Sequence, residues 1–346
     1  MYKKKLLGLI TIISFCGVFL CNAVLAEKIA LNPNHPDRYV VVKGDTLWDI
    51  SEHFLRDPWF WPNIWQANPQ IKNPHLIYPG DVIRLVYVDG KPRLVVDRGR
   101  PLVKMSPQGR VSSLQKAIPT IPLDIIHPFL TKPRIVGKNE LDNAPYMVQS
   151  DEEHLIAAAG NRIYVRGIKD EGVQRYVVVR KGATYTDPET NEVLGYEAIY
   201  VGDAVLQIHG DPSTLKLLKS NREVLIGDRL LPVGDETQEA FFHPGSPKDQ
   251  VEGRILAVIG GVNQIGTHQV VVINRGTREG LVAGNVLAIY QTGNTIKDRI
   301  SGNKTVKLPD EKAGLMMVFR TFEKLSYALV MRANRNMHVQ DTVKNP

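Results

Sequence analysis

At Gly44-Asp45, Gly80-Asp81, Gly202-Asp203, Gly227-Asp228 and Gly284-Asn285 of this 346-residue chain, a glycine followed by Asp or Asn leads within two positions into an apolar residue that opens a strand-like or helical run. Glycine takes a positive φ without steric cost, and Asp or Asn hydrogen-bonds its own turn, so the pair suits entry into a strand. This is turn chemistry rather than a phosphate-binding loop, and its irregular spacing argues against a solenoid or propeller.

Beyond Asp151 the runs between such turns are β-branched or aromatic, at residues 162–166, 174–179, 204–208, 253–259, 269–273 and 286–290. Gly, Asp or Pro bounds them, as expected of short strands. A short helix is expected at residues 213–219. Residues 315–331 are apolar enough to raise the question of a membrane span, but Arg320, Glu323 and Lys324 interrupt them, so two strands around a turn fit better.

The first 26 residues read as an export signal. Residues 1–5 are basic, residues 6–20 almost wholly apolar, and Asn22-Ala23-Val24-Leu25-Ala26 supplies small residues for cleavage before Glu27. Both cysteines, Cys16 and Cys21, lie in this segment. The mature chain would therefore have no disulfide, no thiol nucleophile and no thiolate metal site. Removing Lys3, Lys4 and Lys5 leaves 40 Lys+Arg against 36 Asp+Glu, a net +4 that is too mild to point to nucleic acid. With 43% apolar and 23% charged residues, a wholly disordered or collagen-like chain is excluded.

The region 38–88 has its own logic. Residues 39–43 read as a strand running into Gly44-Asp45, and Thr46 caps a helix with Asp49 three residues on. Pro58 ends that helix, a second short one covers 63–67, and Pro79-Gly80-Asp81 turns the chain into a strand at 82–88. The pattern Tyr39-x-Val41-x-x-Gly44-Asp45-Thr46-Leu47-x-x-Ile50, then Ile64-x-x-x-Asn68, then Asn73-Pro74-x-x-Ile77-x-Pro79-Gly80-Asp81-x-Ile83 resembles the LysM domain. That resemblance implies a βααβ module that binds N-acetylglucosamine-containing glycans such as peptidoglycan. The Asp-Pro-Trp-Phe-Trp-Pro stretch at 57–62 is about three residues longer than the family's usual helix connection.

A groove between Gly44, Asp45, Thr46 and Leu47 on one side and Asn73, Pro74, Ile77 and Tyr78 on the other would offer backbone amides and carbonyls to an acetamido group. Leu47, Pro74 and Ile77 would cover the methyl and ring faces. Each such hydrogen bond contributes about 0.5–1.5 kcal/mol net, so one module binds weakly. All four tryptophans, Trp48, Trp59, Trp61 and Trp65, fall within this region and are expected mainly in the core, because so small a module needs their area. An exposed face on Trp48 or Trp61 stays open.

A cell-wall hydrolase targeted by its LysM domain is the rival reading. The nine histidines form no H-E-x-x-H or H-x-H, and no metal or other cofactor is expected. Ser-x-x-Lys occurs at Ser113/Lys116, Ser213/Lys216 and Ser301/Lys304 without the companion elements of a serine acyltransferase, so no catalytic residue is assigned.

The expected fold class is multidomain α+β: the LysM module at 38–88, a proline-rich connector at 89–150, a β-rich middle domain at 151–238 and a β-rich C-terminal domain at 250–346. The pattern Gly253-x-Ile255, Val271-x-Ile273-Asn274-x-Gly276, Gly280-Leu281-x-x-Gly284-x-x-Leu287 and Ala328-Leu329-Val330 resembles the C-terminal domain of a flagellar assembly protein. With an exported LysM module, it resembles the type IV pilus secretin-associated LysM family. That implies a non-enzymatic periplasmic adaptor at the cell wall and outer membrane, oligomeric only through its secretin partner. Residues 297–346 hold ten Lys/Arg against five Asp/Glu, a basic surface for an acidic protein partner.

Overall fold

The computed structural model describes residues 29–65, 77–97, 117–131, 135–151, 156–233, 242–259, 263–300 and 302–346. The export segment, both cysteines, Asn68, Asn73, Pro74, Ser113, Lys116 and Ser301 lie outside the described residues.

The N-terminal module opens with β1 (Arg38–Val40), followed by α1 (Leu47–Phe54), a 3₁₀ turn (Pro58–Phe60) and α2 (Trp61–Trp65). Strand β2 (Val82–Val88) pairs antiparallel with β1, Tyr39 opposite Ile83. The module does not end there. Asp89 and Gly90 both adopt positive φ, which makes the tight hairpin turn their sequence favours, and β3 (Lys91–Asp97) returns along the whole of β2. Pro92 is tolerated because β3 is an edge strand, and Leu94 enters the module's core.

After α3 (Leu123–Thr131), β4 (Ile135–Val136) and α4 (Lys138–Asp142), the chain enters the middle unit. This comprises β5 (Tyr146–Ser150), β6 (Ile156–Ala157), β7 (Arg162–Arg166), β8 (Arg175–Thr186), β9 (Val193–Ile208), β10 (Ser213–Ser220), β11 (Val224–Leu225) and β12 (Arg229–Pro232). The order β10-β7-β5-β12-β8-β9 closes on itself, because β10 also pairs with β9. Residues 213–219, expected as a helix, are therefore a strand. Leu and Lys favour helix locally, but β10 gains ladder partners on both sides and buries Leu215 and Leu217 at period two.

The C-terminal unit comprises β13 (Glu252–Val258), β14 (Gln264–Ile265), β15 (Val270–Ile273), β16 (Val286–Gln291), β17 (Thr295–Asp298), β18 (Lys304–Lys307), β19 (Glu311–Thr321), β20 (Ser326–Ala333), β21 (Met337–His338) and β22 (Thr342–Lys344). Strands β13-β15-β20-β19-β16-β22 form a closed barrel. Ile255, Val271, Ile273, Leu287, Met316, Val318, Val330 and Val343 fill its interior. The intervening residues of four strands, among them Val272, Ala288, Leu315, Met317, Phe319, Tyr327 and Leu329, form a second buried cluster on the barrel's outside. Burial on both faces is why residues 315–331 lack polar alternation. They are two strands around a turn, and among the described residues no helix is long and apolar enough to cross a membrane.

The α+β assignment for the whole chain is thus overturned. Among the described residues strand accounts for 48% and helix for 12%, and the two units after the LysM module are built of β-sheet. Helices α3 and α4, of nine and five residues, are connecting pieces that form no layer of their own.

Candidate functional site

Gly44 sits at φ +105°, and Asp45 locks the turn: its Oδ2 accepts the Val42 amide at 2.8 Å and the Tyr39 hydroxyl at 3.0 Å. Burial first, and then the bond to Asp45, pushes the Tyr39 phenol up to about 12. Thr46 and Asp49 form a complete capping box: Thr46 Oγ1 accepts the Asp49 amide at 3.2 Å, and Asp49 Oδ2 accepts the Thr46 amide at 3.0 Å. Across from this turn, Gly80 donates to the Val41 carbonyl and Val41 to the Asp81 carbonyl, at 2.8 and 2.9 Å. Asp81 Oδ2 accepts the Tyr78 amide at 3.1 Å. The structure thus brings Gly44, Asp45, Thr46 and Leu47 to the same end of the module as Ile77 and Tyr78.

Along its described residues the expected groove is not open. Residues 118–120 of the same chain cross it. The Ile118 amide donates to the Ile77 carbonyl at 2.9 Å, the Leu47 amide to the Pro119 carbonyl at 2.9 Å, and the Trp48 amide to the Thr120 carbonyl at 3.2 Å. Leu47 and Trp48 are the first two residues of α1, whose amides have no partner within the helix. Leu47 and Ile77, expected to face sugar, are 1% and 0% exposed, and Ile118 packs with them in the module's core. Ile77 is a core residue as well as a groove residue, so a charged substitution there would test the fold and the groove together.

All four tryptophans are buried, including Trp48 and Trp61, each 1% exposed. They divide between two cores. Trp61 and Trp65 stack edge to face inside the module with Ile50, Phe54 and Ile83. Trp48 and Trp59 instead join the outer face of the barrel, with Ile121, Ile126 and Phe129 of the crossing segment and Phe319 and Tyr327 of β19 and β20. Sequence reasoning missed this second destination. A hint was present, because α1 carries Trp48 beside a separate apolar stripe of Leu47, Ile50 and Phe54. Charged contacts border the same junction: Glu52 pairs with Arg332, Lys312 lies 5.8 Å from the Trp59 ring centroid, and Arg320 donates to the Phe129 carbonyl at 2.6 Å.

The middle unit meets the barrel through the tip of the β8–β9 hairpin. Asp187 accepts from Asn274 at 2.9 Å and Arg275 at 3.3 Å, while Glu192 pairs with Lys324 at 2.7 Å and Arg278 at 3.1 Å. Burial pushes the Asp187 carboxyl up, but the Glu189 and Thr190 amides, Asn274 and Arg275 outweigh it and hold the pKa below the ordinary carboxylate value. Tyr185 and Leu194 of the same hairpin join the barrel's outer cluster.

Among the described residues no three His, Cys, Asp or Glu side chains are placed to hold a metal ion. Ser213 and Lys216 of the Ser-x-x-Lys hit lie on opposite faces of β10, Ser213 buried and Lys216 exposed, so the pair does not meet.

Residues 39–86 match the LysM domain family, whose members bind peptidoglycan and related N-acetylglucosamine glycans. The chain is also similar to YqbP, an uncharacterised protein of Bacillus subtilis (strain 168), with 37% identity over 60 residues. That alignment covers 14% of this chain and 27% of YqbP, so the chain spans about a quarter of that relative's length. Residues 39–86 are thus a LysM module, the kind of module that binds peptidoglycan.

Proposed function

We propose that the protein is an exported, non-enzymatic adaptor: its LysM module engages peptidoglycan, and its barrel unit anchors an outer-membrane assembly of the type IV pilus secretin kind. The observation that carries the second half is a projecting arm on the barrel. Among the described residues strands β17 and β18 pair only with each other, and Lys297, Arg299, Lys304 and Lys307 stand exposed along them beside Ile296, Val306 and a fully exposed Ile300. An arm that is both basic and apolar suits an acidic surface with apolar pockets. Docking of many copies on a ring would raise the apparent wall affinity by roughly 10²–10⁴ without a new contact, provided the modules engage together. That compensates for the weakness of one LysM contact under mechanical load.

Sedimentation with purified sacculi tests the wall half: the chain pellets, and soluble N-acetylglucosamine oligomers release it. A chain that stays in the supernatant at every concentration refutes that half. Deleting residues 250–346 would strip the cover from Trp48 and Trp59, so the docking half is better tested at the arm. A variant with Lys297, Lys304 and Lys307 changed to Glu should separate from the outer-membrane complex in detergent-solubilised envelopes while remaining folded. Undiminished co-purification of that variant would remove the arm from the docking surface.

A further inference from the structure

We propose that residues 118–121 form a built-in competitor for the LysM groove, so that glycan binds only when this strap leaves. The inference rests on the peptidoglycan reading and adds its regulation. The strap presents to the module what an acetamido group would present: an N–H, from Ile118, to the Ile77 carbonyl, and a C=O, from Pro119, to the Leu47 amide. A second carbonyl, from Thr120, takes the Trp48 amide. With Ile118 packed against them, Leu47 and Ile77 have no face left for a sugar. A glycan using the same amides and carbonyls excludes the strap, and the strap excludes the glycan.

The contact is suited to displacement. The strap forms no ladder with the three-stranded sheet, and these three main-chain bonds hold residues 118–120 to the turn and loop. Its fit is incomplete: Thr120 Oγ1 and the Trp48 indole N–H are buried with no hydrogen-bond partner among the described residues. Water or sugar hydroxyls entering in place of the strap can satisfy such atoms.

The strap also joins the groove to the barrel. It runs directly into α3, and Ile121, Ile126 and Phe129 pack in the same cluster as Phe319 and Tyr327, with Arg320 holding the Phe129 carbonyl. Trp48, two residues from the cap of α1, enters that cluster too. One element therefore closes the groove and docks the module. By linkage, whatever lifts α3 from the barrel strengthens glycan binding, and bound glycan loosens α3 by the same factor. If the open state is a minor one, at roughly 1–10% of molecules, glycan binding is weakened about 10- to 100-fold.

The test is amide hydrogen exchange and titration on the full chain with tetra-N-acetylglucosamine as the probe. Without glycan, the Leu47, Trp48 and Ile118 amides should be protected. Excess glycan should expose the Ile118 amide while Leu47 and Trp48 stay protected. Ile118→Asp in the strap, and Phe129→Asp at the far end of α3, should each bind the tetrasaccharide at least tenfold more tightly than wild type. Glycan binding with Ile118 still protected, and with equal affinity in both variants, would overturn the strap and leave the peptidoglycan reading standing. Variants with exposed Leu47 and Trp48 amides that still bind no glycan would overturn the peptidoglycan reading and, with it, the competition. Should either variant fail to fold, the wild-type exchange experiment decides alone: no glycan-dependent change at Ile118 refutes the proposal.

Discussion

Trp48 offers the sharpest test of how the LysM module is held to the barrel. Its side chain is 1% exposed and lies in the barrel's outer cluster, not in the module's own core. A buried tryptophan removes roughly 150–250 Å² from water, which at about 25 cal/mol/Å² is some 4–6 kcal/mol. Typical Trp→Ala losses in cores are about 3–5 kcal/mol. Part of that is returned here, because the substitution also removes an indole N–H with no partner among the described residues, a burial that costs about 1–3 kcal/mol. Trp48→Ala should therefore destabilise docking by about 2 kcal/mol. Trp48→Phe keeps most of the ring and loses the unpartnered donor, so it should fall within about 1 kcal/mol of wild type by the same accounting. Tryptophan fluorescence follows the LysM module selectively, since all four tryptophans lie between residues 48 and 65. With a urea dependence of roughly 2 kcal/mol per molar, the Ala variant should shift the fluorescence midpoint down by about 1 M. Equal losses for Phe and Ala would show that the indole N–H is bonded, and no loss for Ala would show that the module is not docked through this residue.

Gly44→Ala meets no atom within 4 Å but must adopt φ +105°, so it should lower module stability by about 1–3 kcal/mol through backbone strain alone, read in the same fluorescence melt. Asp187 has a folded-state pKa below its unfolded value, so its contribution is fully present above about pH 4 and lost as pH falls through the folded pKa. Thermal melts between pH 2 and 7 should show this loss in wild type and a flatter profile in Asp187→Asn, and parallel profiles would refute the assignment. The proposed export predicts a mature protein that begins at Glu27 and contains no reactive thiol; an intact mass that includes residues 1–26 would contradict this.

The features that could be read directly were those whose physics is local. Gly44 and Gly80 need positive φ, Thr46 and Asp49 satisfy the first turn of α1, and Asp81 closes the turn before β2, all within a few residues of one another. Asp89-Gly90 is an equally local hairpin signal, and the Pro92 that follows it is compatible with a strand because β3 lies at the sheet edge. By contrast, the sequence at 213–219 is compatible with either helix or strand, and only the pairing of β10 with β7 and β9, up to 54 residues away (Lys216 opposite Arg162), decides between them.

The groove shows the same division. Sequence alone placed Gly44, Asp45, Thr46, Leu47, Ile77 and Tyr78 around one end of a small module, because turn chemistry and apolar spacing act within that module. It could not show that residues 118–120 would occupy the amides of Leu47 and Trp48, or that Trp48 and Trp59 would face a barrel more than 200 residues further along. Main-chain donors and acceptors carry no sequence label, and an apolar side chain packs equally well against any apolar surface that reaches it. Which surface arrives first to cover them is settled by the closure of the whole chain.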